Sequence, residues 1–209
     1  MSPTMLAQIQ RLGGRTDQVN GQSLTADLQA ITFETVLYPR PTDTPWATAA
    51  DTEPIAGLNE VLAANRPLLA TDPAAFYQRV ADYFYCLTEA PHGQVFFRPG
   101  LFTPFRPGTS DYAEWNDYFT DPEEVDLSPV YAVAHDPTPD FSYLAYSYGF
   151  PDTYFVCCAD PNPANPTVFG TDHEEFFRAI TNEGPLADFW ARFMPKEELL
   201  DRVRQQINS

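Results

Sequence analysis

The side chains able to do covalent chemistry are few: Cys86, Cys157 and Cys158, with His92, His135 and His173. Cys158, His173 and Asp172 can be drawn as nucleophile, base and orienting carboxylate, because a thiolate needs a nearby imidazole to form at neutral pH. Their setting argues against it. Cys157 and Cys158 fall in the apolar strand pattern of residues 154 to 158, where cysteine is a common buried residue, and no glycine-rich nucleophile turn or helix N-terminus follows them. All three thiols are expected to be buried, and an odd count with one adjacent pair implies no disulfide framework. Asp172, His173, Glu174 and Glu175 are consecutive, and consecutive residues rarely converge on one ion. Neither H-E-x-x-H nor C-x-x-C occurs, and there is no P-loop or G-x-G-x-x-G, so neither a metal nor a cofactor is expected. Asp172, His173 and Glu174 read as structural: an imidazole bonded to a carbonyl or carboxylate at a strand end, holding the exit to the final helix. An enzyme is not expected.

Binding chemistry is better represented. Residues 111 to 126 contain Asp111, Glu114, Asp117, Asp121, Glu123, Glu124 and Asp126 without a basic residue, interleaved with Tyr112, Trp115, Tyr118 and Phe119. Rings supply buried contact area and carboxylates supply steering, so this segment is expected to form a partner-binding face. Its members are Asp111, Tyr112, Glu114, Trp115, Asp117, Tyr118, Asp121, Glu123 and Glu124. The plainer alternative has the rings facing the core and the acids merely solvated. The whole chain carries 29 acidic against 12 basic residues, a net charge of -17, and Lys196 is its only lysine. Such a field opposes nucleic acid and anionic lipid and attracts a basic protein surface. Solubility is the plainer explanation of the charge.

The elements that must position these residues follow from periodicity. With 209 residues, 44% hydrophobic and 14% aromatic, the chain can bury a sizeable core as a single domain over residues 1–209. Residues 1–125 read as a mostly helical N-terminal portion. Met5, Ile9 and Leu12 share a helical face that Gly13 and Gly14 terminate. Residues 31 to 38 read as a strand ending at Pro39, residues 39 to 54 as a loop, and residues 54 to 69 and 72 to 87 as helices. The second helix starts with Asp72 as N-cap and Pro73 in its first turn, burying Phe76, Val80, Phe84 and Leu87. From residue 94 the texture becomes short aromatic strands, at 95 to 97, 130 to 134, 141 to 148, 154 to 158 and 167 to 169, divided by proline, glycine and aspartate. That pattern predicts an antiparallel meander, hence an α+β fold. Residues 185 to 207 read as helix broken by Pro195, with Leu186, Phe189, Trp190 and Phe193 on one buried face. No apolar run approaches the roughly 20 residues that span a bilayer, and the N-terminus lacks the order of a signal peptide, so a cytoplasmic address is expected.

Residues 128 to 194 carry a resemblance. Strands with LAYSYG and DTYFVCCAD, a Pro/Asn turn, then Val168-Phe169 with Asp172-His173-Glu174, and a closing helix with Leu186, Phe189, Trp190 and Phe193, resemble the C-terminal half of the SUKH superfamily. That superfamily includes the yeast cell-wall-synthesis regulator and bacterial immunity proteins. The family's opening Leu-Pro element and Asn-Gly pair have no counterpart here: Asn20-Gly21 lies too early. The resemblance covers about a third of the chain and implies a bent antiparallel sheet packed by helices, no enzymatic activity, and a protein-binding role. It implies an immunity-type protein that binds and neutralises a cognate toxin, such as a nuclease domain with a basic surface. The alternative is a regulatory or scaffolding domain that binds an endogenous protein; the remote one is an enzyme using Cys158 and His173.

Overall fold

In the computed structural model the described residues are 1–41, 55, 57–87 and 93–208. Most of the loop expected at 39 to 54, and His92, lie outside them. Local sequence signals set the first helices. In α1 (Pro3–Arg11) the Ser2 hydroxyl accepts the Met5 N–H at 3.2 Å, Met5, Ile9 and Leu12 are buried, and Gly13 takes a φ of 92° that a larger residue resists. A two-stranded pair of β1 (Gly14–Arg15) and β2 (Thr32–Phe33) brackets α2 (Leu24–Ala30). Next come α3 (Leu58–Thr71) and α4 (Pro73–Tyr85), the latter capped by Asp72, whose Oδ1 accepts the Ala75 N–H at 3.0 Å.

The centre of the molecule is a five-stranded antiparallel sheet in sequence order: β3 (Val95–Phe102), β4 (Phe141–Ser147), β5 (Thr153–Cys157), β6 (Thr167–Thr171) and β7 (Thr181–Pro185). The fold is α+β. Alternation along β5 divides the core: Val156 packs on one side with α1, α2 and α7 (Leu186–Ala191), while Phe155 and Cys157 pack on the other. That second side is covered by Phe119 of α5 (Ser110–Thr120), by Val125 and Leu127, by Val130 of α6 (Ser128–Ala134), and by Phe177. A separate helical core joins α3, α4 and α8 (Lys196–Ile207) around Phe76, Val80, Phe84, Leu199 and Val203. Leu186, Phe189, Trp190 and Phe193 are all buried against the sheet, as their spacing requires.

Several expectations need correction. Residues 130 to 134 belong to a helix, not a strand: Pro129 suits a first helical turn, Val130 is fully buried, and Val133 and Ala134 pack half-buried against the same core. The sheet's first strand is therefore β3, separated in sequence by α5 and α6 from β4, with which it pairs and which starts at Phe141. Of residues 31 to 38 only Thr32 and Phe33 form a strand, followed by single bridges from Leu37 to Val95 and from Pro39 to Phe193. Edge strand β7, reading Thr-Asn-Glu-Gly-Pro, has no apolar alternation and was not anticipated. Leu87 lies past the end of α4 and is 55% exposed.

Candidate functional site

The acidic segment is a helix followed by turns. At its start the Thr109 hydroxyl accepts the Tyr112 N–H at 3.1 Å, and Asp111 Oδ2 accepts both the N–H (2.9 Å) and the hydroxyl (3.1 Å) of buried Thr103. Asp111 therefore ties α5 to the end of β3. Asp121 is also engaged locally, accepting the Glu123 N–H at 2.9 Å. Asp126 accepts the Ser128 N–H, and its bonds to Ser128 hold its carboxyl below the usual range. Glu114, Asp117, Glu123 and Glu124 are exposed and take part in none of the ion pairs among the described residues. By contrast Arg106, Arg178 and Arg192 are engaged with Asp140, Glu175 and Glu183.

The rings of this segment divide between the two readings. Phe119 is buried and packs on Phe177 at 4.9 Å between centroids. Tyr112, Trp115 and Tyr118 are half-buried. Trp115 lies against Phe176 at 5.3 Å, and the Tyr118 hydroxyl donates to the Phe176 carbonyl at 2.9 Å. Burial, followed by the charge of Glu124, raises the Tyr118 phenol.

Phe176 also walls a surface groove of about 380 Å³ lined by Arg98, Pro99, Gly100, Tyr143, Tyr146 and Thr153. The groove sits where the β3–β4 register shifts, between Phe97 and Gly100, beside a second shift between Tyr143 and Ala145 of the β4–β5 pair. Bulges bend strands locally, and the groove lies beside them on the side of the sheet that α5 covers in part. A Cβ added at Gly100 would meet nothing within 4 Å. Tyr143 is raised well above an ordinary phenol by burial, with Asp111 adding to it. Beyond the groove Phe96 stacks on Tyr146 at 4.9 Å, and Tyr148 meets Phe96 edge-on at 6.0 Å. Tyr148 and Phe150 remain 64% and 55% exposed at the β4–β5 turn.

His173 is bonded as expected, its Nδ1 lying 2.5 Å from Asp152 Oδ2. It is not buried: the side chain is 80% exposed. Its hydrogen bond to Asp152 raises its pKa, helped by the charge of the same carboxylate. Asp172 Oδ1 accepts the N–H groups of Glu174 (2.9 Å) and Glu175 (2.6 Å), forming a turn. That turn leads to β7 and not directly to the final helix, which corrects the expected place of Asp172, His173 and Glu174. The thiols are corrected too, since Cys157 is buried but Cys158 is exposed and Cys86 intermediate. Burial pushes Cys157 up to about 11, and partial desolvation by the protein around its sulfur, with the charge of Asp140, raises exposed Cys158 as well, so neither is primed as a thiolate. Thr171, two residues before His173, pairs with Thr153 at the start of β5, whereas Cys158 follows its end. About 16 Å of strand separates the two positions, so the nucleophile and base drawn from sequence do not meet. Among the described residues no group of three or more His, Cys, Asp or Glu side chains is placed to hold a metal ion.

No family model, curated protein or solved structure matches this chain. Sequence reasoning missed Tyr143, Tyr146, Phe176 and Gly100. The alternation Tyr146, Ser147, Tyr148 was a usable signal, because rings two apart on a strand share a face.

Proposed function

We propose that this chain is a protein-binding domain of the immunity type, which receives the basic surface of a toxin domain, such as a nuclease, against α5 and neutralises it in the cytoplasm. The observation that carries the reading is the uncompensated charge of α5 and the turn after it. Glu114, Asp117, Glu123 and Glu124 project without ion-pair partners among the described residues, beside the half-open rings of Trp115 and Tyr118. Steering by such a field speeds encounter with a cationic surface, and desolvated rings slow departure. The order of Val168 and Phe169 in β6, then Asp172 to Glu174, then Leu186, Phe189 and Trp190 in α7 supports the SUKH resemblance, although helix α6 and the intervening β7 depart from it. No helix among the described residues is long and apolar enough to cross a membrane.

The test pairs this chain with a basic nuclease toxin domain. Co-expression should restore growth to cells making that domain, and association should slow as salt rises. Glu114→Lys with Asp117→Lys should slow association and flatten the salt dependence, because surface charges act over a Debye length of about 8 Å. Growth that stays arrested, with no complex at low salt, would reject the reading.

A further inference from the structure

We infer that the groove between Phe176 and the β3–β4 bend is the anchor pocket of the binding face, taking one large apolar side chain from the basic partner. This rests on the protein-binding reading above and adds where the partner's contact energy is concentrated.

Continuity argues for it. Phe176 belongs to both surfaces: one side of it meets Trp115 at 5.3 Å and Tyr118 at 6.4 Å, and it also walls the groove with Tyr143 and Tyr146. A partner lying on α5 thus reaches the groove without a gap. Size argues for it as well, since about 380 Å³ accommodates an aromatic side chain. The lining is chiefly ring and aliphatic surface, with Gly100 leaving the floor open. Interfaces concentrate their energy in such central apolar pockets and leave charge to the rim. The charge around these elements fixes the partner's sign: Glu114 and Asp117 on α5 and Glu174 in the turn after β6 are exposed, and Asp111 is felt at Tyr143. Among the described residues Arg98 is the cation in the groove wall, and it disfavours a lysine or arginine as the inserted group. The occupant is therefore an apolar residue flanked by basic ones.

Two synthetic peptides, Lys-Lys-Trp-Lys-Lys and Lys-Lys-Ala-Lys-Lys, test this on the whole protein. Titration followed by NMR should show the tryptophan peptide binding about tenfold more tightly or better. Gly100→Leu fills the floor where an added Cβ meets no atom, so its melting temperature should match that of the unsubstituted protein. It should erase the tryptophan advantage and leave the alanine peptide's affinity unchanged. A tryptophan advantage that is missing in the unsubstituted protein, or that survives Gly100→Leu, overturns the groove and leaves the electrostatic reading standing. If neither peptide binds at low salt, or if Glu114→Lys with Asp117→Lys changes neither affinity, the acidic face is itself wrong and the groove falls with it.

Discussion

The rings of Trp115 and Phe176 lie 5.3 Å apart and tilted by 54°, which joins α5 to the turn after β6 in one aromatic wall. Such a pair contributes beyond its buried area. A double-mutant cycle with Trp115→Leu and Phe176→Leu should give a coupling of about 0.5 to 1.5 kcal/mol in urea unfolding. Additive effects would show that the two elements are stabilised independently.

Asp111 and Glu114 are one turn apart on α5 and have different tasks. Removing Asp111 orphans the N–H and hydroxyl of buried Thr103, so Asp111→Ala should cost about 1 to 3 kcal/mol. Glu114→Ala should stay within about 0.5 kcal/mol, because its side chain is solvated. Equal losses in thermal or chemical denaturation would contradict this division of roles.

Protonation of His173 is linked to Asp152. The folded pKa is raised above the ordinary 6.5, so the pair's contribution is complete below that value and is lost as pH rises through the raised one. NMR titration should show a raised midpoint, and Asp152→Asn should move it back toward 6.5. With the ring so exposed, the effect belongs to the titration more than to global stability. A midpoint unmoved by Asp152→Asn would mean that the hydrogen bond does not form in solution.

The neighbouring thiols should separate under a thiol-reactive dye. Cys158 is exposed and should label in the folded protein, faster as pH rises because its thiol is held protonated. Cys157 should label only on unfolding. Simultaneous labelling of both in native buffer would place β5 outside the core.

Much of the framework was legible in the chain. Asp72 before Pro73, and Met5, Ile9 and Leu12 before Gly13, announced their helices because caps and helical faces are set by residues within a turn or two of one another. The same holds for Leu186, Phe189, Trp190 and Phe193, whose spacing alone places them on one face. Residues 130 to 134 were misread because a short apolar run satisfies either period, and only the packing of Val130 beneath the sheet distinguishes them. Strand β7 escaped notice because an edge strand can be held by backbone bonds to β6 without apolar side chains of its own.

The candidate site shows the same division. Sequence alone determined the concentration of acid and ring over residues 111 to 126 and the net charge of -17, whereas the helix that Thr109 caps there emerged only in the structure. It did not separate Asp111, bonded to Thr103, from Glu114, open to solvent, nor core-facing Phe119 from half-open Trp115. Those assignments depend on what packs over α5, and its neighbours come from far along the chain: Tyr118 bonds a carbonyl 58 residues away. The groove is further from sequence still, since it needs two bulges, an open glycine and a ring from a distant turn to meet. Local hydrogen bonding writes itself into neighbouring residue types, whereas burial and concavity exist only once separate elements have packed together.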